Sequence, residues 1–176
     1  MSEEQIAVKY LKSLSPGFQP KAVFDELARI SVLPTVEFIL LRLSPESGKP
    51  QVLLTRRPAD DKWWPGQWHN PGTVLLASDP MENSHDYSEP QKRVFGDQGE
   101  LKGAINIVSG PFELEAERRK TNRGHEIGII LYAQVEGEPA EGKYFDVDNL
   151  PENIIEHQIP SIRKSAGKLF DKAIIL

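Results

Sequence analysis

Cysteine is absent: the 176 residues contain none. That excludes a disulfide framework, a thiolate zinc site, an iron–sulfur cluster and a cysteine nucleophile, and it fits a reducing, cytoplasmic setting. Long apolar runs are missing too. FILL at 38–41 and IGIILYA at 127–133 fall far short of the ~20 residues that span a bilayer, so no membrane partner is expected. The opening MSEEQIAVKY is acidic and has no basic stretch leading into an apolar one, unlike a secretory leader. Positive charge is in deficit, with 21 Lys+Arg against 26 Asp+Glu and a net charge of -5. A nucleic-acid polymer, bound through phosphate neutralisation, is therefore not an expected partner. A local basic patch would still suffice for a small phosphorylated ligand. The phosphate loops G-x-x-x-x-G-K-[ST] and G-x-G-x-x-G, the G-x-S-x-G elbow and H-E-x-x-H do not occur.

What is present reads as one globular domain preceded by an extension. Hydrophobic residues at 39% and charged residues at 27% support an ordinary core rather than disorder. Residues 2–13 have helical periodicity, with Ser2 and Gln5 spaced as a capping box. Pro16, Gly17 and Pro20 break that helix, and a second is predicted over 21–30. We therefore divide the chain into a helical extension at 1–33, serving as a dimer interface or a packed cap, and a domain at 34–176. In the domain, 35–44 and 50–59 are β-rich runs joined by a turn, PESGK. A tryptophan- and proline-rich loop, DKWWPGQWHNPG (61–72), follows. A short helix is predicted over 88–98, with Ser88 and Gln91 spaced for a second capping box. Strands are predicted at 104–110 and 125–137, a strand or loop at 111–124, and a helix at 161–173. Strands interleaved with helices predict a mixed α/β or α+β sandwich.

The order of these segments resembles a Nudix domain over about residues 34–173. The resemblance rests on LLTRRPADDKWWPGQWHNPG, on Pro71-Gly72 before an apolar stretch, on QKRVFGDQG, and on GHEIGIILYAQVEGEPAEGKYFDVDNLPENI followed by a helix. It implies an α/β/α sandwich around a mixed sheet. The family signature is G-x5-E-x7-R-E-U-x-E-E-x-G-U, where U is bulky and apolar. Starting at Gly72, its first glutamate falls on Ser78, and its closing glycine is Gly99 where the signature's own length would place it at 93. Aligned on Gly99, R-E-U-x-E-E-x-G-U meets Lys92, Arg93, Val94, Phe95, Gly96, Asp97, Gln98, Gly99 and Glu100. Sliding the frame by one puts Arg93 on the arginine but Val94 on the first helix glutamate and loses the glycine, so the Gly99 frame is preferred. Most of the helix glutamates are replaced in either frame.

In the family these carboxylates gather Mg²⁺ or Mn²⁺ around a pyrophosphate, oxygen being the ligand such hard cations take. The resemblance thus implies a divalent-metal-dependent hydrolase of a nucleoside diphosphate linked to another moiety. Its metal ligands would be Glu89, Asp97 and Glu100, and Asp97 and Glu126 would be the catalytic acids. On a helix Glu89, Arg93 and Asp97 form one stripe at steps of four. That stripe is an intrahelical salt-bridge ladder, a reduced metal site, or a place where Arg93 itself holds a phosphate. The last option gives the alternative function, a module that binds a nucleotide or phosphorylated metabolite without hydrolysing it. Arg56, Arg57 and Arg118 are candidate phosphate contacts, with a solvated mixed-charge face as the other reading for Arg118. Trp68, with Trp63 and Trp64, either stacks a base or packs the loop. His125 is a weaker candidate for a base, with a surface residue as its other reading, and His69 lies where a substrate or metal would come near, with a structural hydrogen bond as the other reading.

Overall fold

The computed structural model describes every residue except 81, 84, 96–98, 102, 104 and 171–176. Two helices open the chain, α1 (Glu3–Ser13) and α2 (Lys21–Ile30). The capping box forms: Ser2 Oγ accepts from the Gln5 amide at 3.3 Å and Gln5 Oε1 from the Ser2 amide at 2.9 Å. The two helices differ in what they bury. No residue of α1 is buried, whereas α2 buries Ala28 and is tied by Asp25 to Lys62 at 3.0 Å. A side chain at Gly124 would place its Cβ 2.5 Å from the Ala28 carbonyl oxygen, so the glycine lets α2 lie directly on the turn beyond it.

The sheet begins at Val32, slightly before Pro34, because β1 (Val32–Leu43) runs beside β6 (His125–Glu136) from Val32 onward. The other strands are β2 (Pro50–Arg56), β3 (Trp68–His69), β4 (Gly72–Val74), β5 (Asn106–Lys120) and β7 (Lys143–Asp146). The order is β3-β2-β1-β6-β5, with β4 also on β1 and β7 on β2. Among the described strand pairs β1–β6 is parallel and the rest are antiparallel, so the sheet is mixed. The predicted strand at 104–110 and the ambiguous 111–124 prove to be mostly one long strand, β5, with register shifts between Ile107 and Glu115.

Period-two alternation splits the apolar side chains between two layers. Val36, Phe38 and Leu40 of β1 join Leu53, Leu131 and Ala133 on one face; Ile39 and Leu41 join Val52, Leu54 and Ile130 on the other. Helix α3 (Ser88–Phe95) covers the first face through Val94, and Phe95 meets Phe38 edge-on at 5.2 Å. Helix α4 (Ile159–Phe170), after a 3₁₀ turn at Glu156–Gln158, covers the second through Ile162 and Ala166. The result is the α/β/α sandwich with a helical N-terminal extension. Among the described residues no helix is long and apolar enough to cross a membrane.

One detail of the topology positions the site. β1 is flanked on the same side by two strands, β4 along Thr35–Glu37 and β2 along Leu40–Leu43. Between them the chain crosses at Pro71, whose carbonyl accepts from the Phe38 amide at 2.9 Å. The segment entering the signature is thereby pinned to the middle of the sheet. A Cβ at Gly72 would lie 2.7 Å from the Val36 carbonyl oxygen, so only glycine permits this approach.

Candidate functional site

The loop after α3 is anchored by Glu100. Its Oε1 lies 2.7 Å from His69 Nε2 and accepts from the Thr55 hydroxyl, and its Oε2 accepts from the Gly72 amide at 3.1 Å. Thr55 and His69 are register partners across β2 and β3, which is why the two meet one carboxylate. Burial alone would raise the Glu100 pKa, but hydrogen bonds from His69, Thr55 and Gly72 outweigh it and hold the carboxyl below its ordinary value. The stability this contributes is present above the unfolded carboxylate pKa and is lost as pH falls through the lowered one.

On α3 the stripe is not joined as a ladder through Glu89 and Arg93. Glu89 Oε1 pairs with Lys92 Nζ at 2.6 Å. Arg93 instead reaches back over the preceding loop, contacting Asp79 at 2.5 and 2.9 Å and the Val74 carbonyl at 2.9 Å. The Arg93 hydrogen bond, against a smaller burial effect, lowers the Asp79 pKa. Asp79 sits one residue after the place of the signature's first acid. The slid frame, with Arg93 as the arginine, joins that acid and arginine and puts Phe95 and the 3% exposed Leu101 on the apolar positions. Asp97 takes an acidic position in both frames and lies outside the described residues.

Glu126 is 1% exposed. It faces Arg119 across β5 and β6, with Arg119 Nη2 at 3.3 Å and Arg123 Nη2 at 2.6 Å. The Thr121 hydroxyl donates to it at 3.2 Å. Arg119 also pairs with Glu37 of β1, and Gln158 Nε2 donates to the other Glu37 oxygen at 2.9 Å. Gly128 makes room for this: a Cβ there would meet the Arg119 guanidinium at 3.0 Å. Two buried carboxylates are thus matched by two arginines. Such a set holds only while complete, because removing one partner strands a charge in a poorly solvated place.

This network forms one wall of a cavity of about 90 Å³, also lined by Thr35, Asn70, Arg57, Trp64 and His157. Arg57 is paired with Asp61 at 2.6 Å. Trp64 and His157 meet edge-on with ring centres 6.2 Å apart. Burial, reinforced by Arg119, lowers the His157 pKa to about 4, so its ring is neutral at pH 7. Asn70 is 1% exposed, and among the described residues its Oδ1 and Nδ2 have no hydrogen-bond partner, nor has Thr35 Oγ1.

The candidates therefore divide. Arg57, Trp64, His69 and Glu126 line the cavity. Arg56 stands outside that lining, with Nε donating to the Gly66 carbonyl at 2.9 Å and its guanidinium 5.9 Å from the Trp68 ring. Trp68 packs on Phe145 at 4.9 Å. Arg118 is exposed on β5, and His125 is exposed at the start of β6. Sequence reasoning did not single out Glu37, Asn70, Asp79, His157 or Gln158. Glu37 carries a readable signal, being the one acid inside the apolar run TVEFILL.

Among the described residues, which do not include the expected ligand Asp97, no group of three or more His, Asp or Glu side chains converges as a metal site. Glu89, Glu100 and Glu126 are each engaged by another side chain.

No family model matches the chain, and no curated protein matches it. Solved structures do. A MutT NUDIX hydrolase from Burkholderia pseudomallei aligns with a TM-score of 0.52 at 17% identity, over 79% of this chain and 98% of that one. The Ap4A hydrolase of C. elegans aligns with a TM-score of 0.51 at 12% identity, over 83% and 100%. The C-terminal domain of mouse MUTYH, solved in complex with human PCNA, aligns with a TM-score of 0.51 at 13% identity, over 78% and 89%. With the mixed sheet between α3 and α4, these likenesses define the class: the chain has the Nudix fold.

Proposed function

We propose that this protein binds a nucleotide-type, phosphate-bearing ligand on a Nudix scaffold without efficient hydrolysis. The observation that carries this reading is the engagement of the described signature-region acids. Glu89 is neutralised by Lys92, and Glu100 is spent on His69, Thr55 and the Gly72 amide. Glu100 held this way anchors the loop after α3; metal-assisted attack on phosphorus would need it free to share a cation. That a solved neighbour is an Ap4A hydrolase supports a nucleotide-type ligand.

A second reading, a Mg²⁺- or Mn²⁺-dependent pyrophosphohydrolase of the cytoplasm, is favoured by the hydrolases among the neighbours and by the acidic position of Asp97. Phosphate release from nucleotide sugars, dinucleoside polyphosphates and nucleoside triphosphates separates the two, run with Mg²⁺, Mn²⁺ or EDTA beside Asp97→Ala. The binding reading expects a raised melting temperature with one of these compounds and no metal-dependent turnover. Turnover that needs metal and disappears in Asp97→Ala would establish the hydrolase instead.

A further inference from the structure

Helix α1 and one end of the sheet each leave an apolar surface in water. Within its own chain α1 buries no residue, and Ile6, Tyr10 and Leu11 are each more than half exposed. A helix of 11 residues is marginal in water by itself. At 3.6 residues per turn, Ile6, Ala7, Tyr10 and Leu11 share one side. Glu3 falls on that same side and Glu4 at its margin, both in the first turn, whereas Gln5, Lys9 and Lys12 lie on the back. The helix therefore carries an apolar face with an acidic end, and its cations are turned away from it.

The sheet supplies a surface of matching chemistry. Helix α3 is only eight residues long and shields its face of the sheet at Val36, Phe38 and Leu40. Strand pairing continues that face into two further rows, one of Pro34, Ile127 and Arg118 and one of Val32, His125 and Lys120. All six are exposed, Val32 and Ile127 by about two fifths of their surface. Ile30, two residues before Val32, is exposed as well. Val32, Pro34 and Ile127 make an apolar strip, and Arg118 and Lys120 of the edge strand bound it with positive charge. Among the described residues neither cation has an acidic partner. The acids of this strand do not cancel them: Glu115 and Glu117 face the other side by alternation, where Glu115 meets Lys164 of α4.

We propose that α1 docks on this uncovered sheet end of a second copy of the chain. Its apolar face would cover Val32, Pro34 and Ile127, with Glu3 and Glu4 set toward Arg118 and Lys120. Charge decides the occupant, since the acidic end of the helix complements the positive border of the strip and both belong to every copy. A twofold axis then makes the contact twice and closes the assembly at two chains. Both exposed apolar surfaces leave water together, which is the driving force for association. The dimer does not depend on what the cavity binds.

Light scattering on the full chain over a concentration series should show this dimer. Ile6→Asp with Tyr10→Asp should weaken it by roughly tenfold or more, and the dilute chain should keep its melting temperature because neither residue is buried. Ile127→Asp should weaken it likewise; if that variant does not fold, the α1 variant carries the test. Glu3→Lys with Glu4→Lys, and Arg118→Glu with Lys120→Glu, should each lower association. Mixing those two chains should restore a dimer, because each α1 then meets a sheet border of opposite charge. A dimer unchanged by the α1 and Ile127 variants overturns the proposal, as does a mixture of the charge-reversed chains that stays apart. So does a chain that is monomeric at every concentration. In that case a bis-maleimide crosslink between Tyr10→Cys and Ile127→Cys within one chain, which has no other cysteine, would assign the strip to the chain's own α1. Co-sedimentation with phosphatidylserine vesicles would assign α1 to a lipid surface instead.

Discussion

Two sets of carboxylates in this molecule have opposite environments. Glu89 on α3 lies at the surface and meets Lys92 one turn along the helix. Glu37 and Glu126, 6% and 1% exposed, lie under the sheet end and share Arg119. On paper both are acid–base pairs. Physically the first is screened by water and constrains little. The second has been taken out of water, so each charge depends on its partner. The signature segment, where the chemistry of the fold would be sought, holds the replaceable pair. The cavity that the signature does not describe holds the irreplaceable one.

That contrast can be broken from its strong end downward. Arg119→Met leaves Glu37 without its arginine and Glu126 with only Arg123, and should lower the unfolding free energy by about 3–5 kcal/mol, read from urea denaturation. Next comes Asp79→Asn, which cuts the tie between Arg93 and the loop before α3. A loss of about 1–2 kcal/mol is expected for this half-buried pair, with the same assay. A pH series tests the His157 environment. The unfolded chain takes up a proton near the ordinary histidine value of 6.5, and the folded chain only near 4. The unfolded state therefore binds more protons between these values, and stability falls as pH drops from 6.5 towards 4, by up to about 3 kcal/mol. His157→Gln should flatten that part of the profile. The smallest effect belongs to Lys92→Ala, whose melting midpoint should match the parent chain in low and high salt alike. A clear loss there would mean that α3 depends on its surface pair and would erase the contrast.

Most of the architecture was legible in the chain. The Ser2–Gln5 spacing gave the cap of α1, the β-rich run TVEFILLRLS gave β1, and apolar periodicity placed α4 near its observed bounds. Residues 111–124 were ambiguous because their charge alternates on an edge strand that exposes much of its surface, so no apolar face marks it. The candidate site was far less legible. Arg56, Arg57, Arg93 and Arg118 read alike as basic residues, yet their roles separate in space. Arg57 and Arg93 are spent on acids, Arg56 holds a turn carbonyl, and Arg118 stands in solvent.

Local chemistry is what the amino-acid order determined by itself: which segments alternate with period two, which with 3.6, and where proline and glycine interrupt them. Those properties depend on neighbours a few residues away. Whether Glu126 is solvated or buried, whether Arg93 meets Glu89 or Asp79, and whether the Asn70 amide finds a partner depend on strands far apart in the chain. The parallel run of β1 beside β6 and the crossing at Pro71 bring Thr35, Glu37, Asn70, Arg119, Glu126 and Gln158 together. Desolvation then sets what each charge and amide can do, and only the assembled tertiary structure removes the water.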